Sequence, residues 1–165
     1  MSNENVTIDP SQRQAEELMS FLEEGGTIKM LHDVSADTIE HIYAVGYSVF
    51  QSGKVEQAAK VFQLLSMLDH YQARFFIGLG AARQELGEYL QAIDAYSYAA
   101  LMDINDPRPP FHSAECHLKL EQFTEAESGF YRAKKMSVDK LDYADLSKRA
   151  DIMLKALKRK GATRQ

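Results

Sequence analysis

The chain is short of the residues that mark several large classes of protein. It has one cysteine, Cys116, four prolines and no tryptophan in 165 residues. A lone cysteine closes no internal disulfide, and no N-terminal stretch joins a basic region to an apolar run of signal-peptide length, so the expected compartment is a reducing cytoplasm. No run approaches the roughly 20 apolar residues needed to cross a bilayer, so neither a span nor direct membrane binding is expected. Positive charge is also scarce: 19 Lys and Arg against 24 Asp and Glu leave a formal net charge of −5. A general nucleic-acid binder needs a basic surface to neutralise phosphates, so that class is not expected either.

Motifs for chemistry are equally thin. There is no glycine loop of the phosphate-cradling kind, no His-Glu-x-x-His and no Cys-x-x-Cys, so neither an enzyme nor a bound cofactor is expected. His112, Cys116 and His117 come nearest to a metal constellation, since His112 and Cys116 stand one helical turn apart. Two ligands without a second pair do not make a zinc site, and the expected state of Cys116 is a structural thiol. Nothing beside it specifies the histidine and acid that would activate a nucleophile.

What the chain does have is a period. Ala58, Ala92 and Ala126 stand 34 residues apart, and units beginning at Ile39, Ala73 and Pro107 keep step with them. Gly46, Gly80 and Ala114 hold the eighth place of each unit, and Phe62, Tyr96 and Phe130 the twenty-fourth. Small residues let two helices approach, and the rings fill the space between hairpins. This is the pattern of tetratricopeptide repeats, and it predicts an all-α fold of three tandem helical hairpins forming a concave solenoid.

The flanks complete the expected organisation. Residues 1–10 read as a flexible tail. Residues 11–36 form an N-terminal helix and turn, with Ala15, Leu18, Met19 and Leu22 on one face and the Gly25-Gly26 pair as its stop. The repeats occupy 37–138, in units of about 39–72, 73–106 and 107–138. A capping helix follows over 139–160, with Leu141, Ala144, Ile152, Leu154 and Leu157 among its apolar positions, because a solenoid otherwise leaves its last apolar edge open. Residues 161–165 are a short tail. Gly53 and Gly87 mark the first two intra-repeat turns, while the third has Glu121 in their place.

In tetratricopeptide repeats generally, places 2, 5, 9 and 12 of the first helix face the groove. In the first unit these are Glu40, Tyr43, Tyr47 and Phe50, and the three aromatics share one side of a helix. The same helix has a separate inward set in Ile39, Ile42, Val45, Gly46 and Val49, so the aromatic stripe is expected to face a ligand. The second unit offers Arg74, Ile77, Ala81 and Gln84, and the third Arg108, Phe111, Glu115 and Leu118. Small Ala81 among larger apolar walls predicts a depression that accepts a side chain from an extended peptide. Arg74 and Arg108 are the groove's candidate anion contacts, with solvated charges or internal ion pairs as their alternative.

The strings GGT at 25–27, Met30-Leu31, LDHY at 68–71, RFFIGLGAARQELG at 74–87, AYSYAALMDI at 95–104, PFHSAECHL at 110–118 and EAESGFY at 125–131 are more specific than the period. Over about residues 12–157 the chain resembles the class II chaperones of bacterial type III secretion, on the LcrH/SycD branch. That resemblance implies a cytoplasmic protein of a Gram-negative bacterium that binds two hydrophobic, pore-forming translocators before export, holding an extended segment in its groove. It places groove contacts on Tyr43, Tyr47, Phe50, Leu68, His70 and Leu79. It also implies a homodimer formed through the N-terminal helix, at Leu18, Met19, Phe21 and Leu22. The repeats taken alone fit a second reading, a general scaffold or regulatory adaptor joining folded cytosolic proteins.

Overall fold

Two helices that follow the helical residues 19–21 and 23 start where a hydroxyl can accept from their first turn. In the computed structural model, which describes residues 19–21 and 23–162, Thr27 Oγ1 accepts from the Met30 amide at 3.3 Å and opens α1, Ile28–Leu31. Ser35 Oγ accepts from the Thr38 amide at 3.1 Å and opens α2, Ala36–Gln51. Each such cap satisfies an amide that the helix leaves unpaired. Then follow α3 (Val55–Leu68), α4 (Ala73–Glu85), α5 (Tyr89–Met102), α6 (Arg108–Lys119), α7 (Phe123–Met136), a 3-10 turn at Leu141–Tyr143 and α8 (Ala144–Ala162). The described residues are helices and turns, and each long helix packs chiefly on its neighbours in sequence, as a solenoid requires.

The three turns inside the hairpins are one structure built three times. Gly53 and Gly87 both have φ of 78°, and Glu121 takes 59° at the same place. Lys54 N donates to Val49 O at 3.2 Å, Glu88 N to Arg83 O at 2.9 Å and Gln122 N to His117 O at 2.9 Å, closing each first helix in the same way. The missing glycine therefore leaves the turn intact. Glu121 bears the left-handed conformation at a cost of about 1 kcal/mol.

The joints between hairpins repeat too. Asp69 Oδ1 accepts from Tyr71 N at 3.3 Å, and Asp103 Oδ1, one period later, from Asn105 N at 3.0 Å. Asp106, buried before α6, accepts from Arg108 N at 2.9 Å and pairs with the Arg108 guanidinium. Pro107 precedes α6, and Pro109 and Pro110 sit in its first turn, where their missing amides break no helical bond.

The repeat positions form the core. Ala58, Ala92 and Ala126 are fully buried, as are the rings of Phe75, Tyr96, Phe111 and Phe130. A Cβ on Gly46 would stand 2.9 Å from Val61 Cγ1, and one on Gly80 2.6 Å from Tyr96 Cε1, so these places need the smallest residue. The inward set expected on α2 is divided: Ile39 and Gly46 are buried, Ile42 and Val49 are half-buried, and Val45 is exposed. Val45 lies on the side of α2 that no described helix covers. At the other end the helix starts later than the apolar pattern suggested. Asp139 turns the chain with φ of 62°, and the 3-10 turn leaves Leu141 92% exposed. Leu146, Ala150, Met153, Leu154 and Leu157 of α8 then pack on the third hairpin, while Ile152 faces outward.

Candidate functional site

The period places Tyr43, Tyr47 and Phe50 of α2 beside Ile77 and Ala81 of α4. Together with Phe62, Gly78, Arg74 and Arg108 they line a depression of about 170 Å³. Small-molecule pockets run to about 300 Å³ or more. This one has the scale of a single large side chain. Its floor is packed aromatic surface: the Tyr43 ring meets Phe62 edge-on at 6.0 Å and Phe75 at 5.8 Å. A Cβ on Gly78 would fall 2.6 Å from the Phe62 ring, so that ring lies directly on the α4 backbone. Tyr47, 55% exposed, stands at the rim.

The rim charges are already partnered. Arg74 holds the Glu40 carboxylate through both terminal nitrogens, with Nη1 donating to Oε2 at 3.0 Å, and its guanidinium lies 4.8 Å over the Tyr43 ring. Those hydrogen bonds hold the Glu40 carboxyl below its ordinary range and raise the Arg74 guanidinium. Arg108 is held by Asp106 through Nε, at 2.9 Å to Oδ2. The ion-pair alternative for both arginines is the arrangement observed, and neither offers a free charge to an anion. What remains exposed in the depression is mostly aromatic and aliphatic surface.

The other expected contacts are dispersed. Leu68 is half-buried against the first core cluster, and His70, at the joint after α3, lies 4.3 Å from the Tyr71 ring; neither lines the depression. Leu79 is 5% exposed and Phe111 1%. Both are core side chains: Leu79 packs in the cluster that holds Ile39, Phe62 and Leu65 of the preceding hairpin, and Phe111 lies 5.3 Å from the Phe130 ring and 4.6 Å from the Arg149 guanidinium. Met19 is exposed and Phe21 half-buried. Leu18 and Leu22 lie outside the described residues. Phe62 and Gly78 were not anticipated as lining residues. The period assigned Phe62 wholly to packing, and Gly78 falls off the register kept by Gly80.

The third repeat uses its groove places differently. Tyr96 Oη donates to Gln84 Oε1 at 2.9 Å, Gln84 Nε2 reaches Glu115 Oε2 at 3.4 Å, and His112 Nδ1 lies 2.8 Å from the same oxygen. Arg149 Nη2 of α8 donates to Glu115 Oε1 at 3.0 Å. Burial raises the Glu115 carboxyl, but its bonds from His112 and Gln84 and the charge of Arg149 outweigh that and leave it lowered. Cys116 is fully buried beside Ala92 and Tyr96, and burial pushes its thiol up to about 12. His112 is committed to Glu115, so it and Cys116 do not converge. A larger hollow of about 580 Å³ among α5, α6 and α7 mixes apolar groups such as Leu101, Pro109 and Pro110 with the hydroxyls of Ser97, Ser113 and Thr124, and contains none of the expected groove residues.

Fold and depression together define a tetratricopeptide repeat protein, and the tetratricopeptide repeat model matches residues 39–72 and 77–106. The low calcium response locus protein H of Yersinia pestis is 52% identical over 141 residues, covering 86% of this chain and 84% of that protein. Among solved structures, a type III secretion complex from Aeromonas hydrophila superposes with a TM-score of 0.86 at 50% identity, over 89% of this chain and 98% of that one. The Yersinia enterocolitica chaperone SycD, solved in complex with a peptide of the translocator YopD, gives 0.76 at 50% identity, over 78% and 98%. The chain therefore belongs to the tetratricopeptide repeat chaperones of type III secretion, of the LcrH/SycD type.

Proposed function

We propose that this protein is a cytoplasmic chaperone for two hydrophobic type III secretion translocators, and that it holds an extended segment of each before export. The reading is carried by the depression between α2 and α4, whose aromatic walls enclose the volume of one large side chain. Tyr43, Tyr47, Phe50, Ile77 and Ala81 contact the substrate, and Arg74 and Arg108 bound the site without drawing it in by charge. A translocator exposes apolar segments that aggregate in water, and seating an apolar anchor here removes part of that surface. An extended chain loses conformational freedom on binding, so a few seated side chains hold it reversibly, as export requires. The free protein pairs as a homodimer through Leu18, Met19, Phe21 and Leu22.

Co-expression with the two translocators tests this directly. Each is expected to remain soluble and to co-purify with the chain, and recovery of neither would end the proposal. A Tyr43→Ala, Phe50→Ala double variant should lose co-purification while far-UV circular dichroism keeps its helical signal. A double variant that no longer folds would instead make the stripe a core element.

A further inference from the structure

The last hairpin and α8 carry a feature that the depression does not use. Along their seam, Tyr131, Val138 and Leu154 floor a hollow of about 390 Å³, walled by Lys134, Lys135, Lys155 and Lys158 around Asp151. It continues into a second hollow of about 350 Å³ that shares Tyr131, Leu154 and Lys158. Tyr131 and Val138 are 60% and 57% exposed, an apolar surface that α8 approaches but does not cover. Asp151 neutralises two of the four lysines, accepting from Lys134 and, at 2.6 Å, from Lys155. Lys135 and Lys158 have no hydrogen bond or ion pair with another described residue. A chain of net charge −5 thus sets, beside an open apolar floor, two ammoniums that no described residue pairs, with Glu127 lining only the second hollow. The favourable interaction of cations with the end of α7 accounts for Lys134 and Lys135. It accounts neither for Lys155, a turn and more from the end of α8, nor for the exposed floor.

We infer that this seam docks an acidic peptide segment of a partner protein, with a large apolar side chain on Tyr131, Val138 and Leu154 and flanking carboxylates on Lys135 and Lys158. Charge complementarity selects the sign of the partner, and the floor selects its class. Two cations without a described partner neutralise too few phosphates to hold a nucleic acid, and an apolar floor offers phosphate nothing. A side chain flanked by carboxylates satisfies both surfaces at once. The seam shares no lining residue with the α2–α4 depression, so an occupant here leaves the proposed translocator groove open.

Fluorescence anisotropy on the full chain tests this with a short labelled peptide carrying Phe-Leu between Glu and Asp residues. Saturable binding is expected, weakened about tenfold or more by Lys135→Glu with Lys158→Glu and by added salt. The double variant gives up a favourable charge at the end of α7, so it should melt a few degrees lower, but cooperatively, and still co-purify translocators, which separates this site from the proposed groove. Absence of saturable binding overturns the inference, as does equal binding by the double variant. So does equal binding of a peptide with Phe-Leu replaced by Ser-Ser, or of an oligothymidylate of similar charge.

Discussion

The first and third repeats carry aromatic side chains at the same groove place and put them to opposite uses. Tyr43 is half-buried and forms a wall of an open depression, with Arg74 lying 4.8 Å over its ring and tied to Glu40. Phe111, two periods later, is sealed, with Arg149 lying 4.6 Å over its ring and tied to Glu115. In each case an arginine from a following helix roofs the aromatic and pairs with a carboxylate of the ring's own helix. What differs is the packing around it. Phe111 meets the Phe130 ring edge-to-face and has α8 closing the hairpin, whereas Tyr43 opens onto Ile77, Gly78 and small Ala81. A repeat position therefore fixes where a side chain points, and its neighbours decide whether that place is a groove or a core.

Substitutions break this comparison in order of expected effect. Phe111→Ala should cost about 3–5 kcal/mol in urea unfolding, because it opens a cavity in the core. If the loss were below about 1 kcal/mol, Phe111 would belong to the groove after all. Ala81→Phe fills the depression from a half-buried place, and should abolish translocator co-purification while the melting temperature moves little. Arg149→Ala removes the roof of the third repeat and is expected to cost about 1–2 kcal/mol, since it leaves a half-buried Glu115 with fewer partners. Native-state hydrogen exchange should then rise in α8 before it rises in α2–α4.

Two finer measurements concern the polar and conformational details. The raised Cys116 thiol contributes stability that is present below pH about 9 and lost as pH rises toward 12, because folding favours its neutral form. Alkylation followed by mass spectrometry should accordingly find it unreactive at pH 8 until denaturant is added. Glu121→Gly should raise stability by about 0.5–1 kcal/mol by relieving the left-handed backbone, the smallest effect of the series.

The hairpins were legible because their packing is periodic. The alanines, the small residues at 46, 80 and 114 and the rings at 62, 96 and 130 each answer to one place in a repeated contact. The aromatic stripe was legible for the same reason, since spacing alone puts Tyr43, Tyr47 and Phe50 on one side of α2. Non-periodic features were not. Gly78 lines the depression because of where the Phe62 ring rests, a contact between hairpins that no single repeat announces. Phe111 and Leu79 were misplaced because a groove position in the repeat carries no information about what packs behind it. Leu141 was assigned to the last helix on hydrophobicity, but the left-handed Asp139 breaks the helical run just before it.

The neighbour-to-neighbour packing of the solenoid also bears on how the chain is made. Contacts that are local in sequence close small loops and form quickly, so hairpins of this kind are fast folders. Synthesis proceeds from the N-terminus, and domains acquire structure as they emerge. Every wall of the depression lies between residues 43 and 108. The groove's lining residues are therefore all translated before the residues that cap the solenoid.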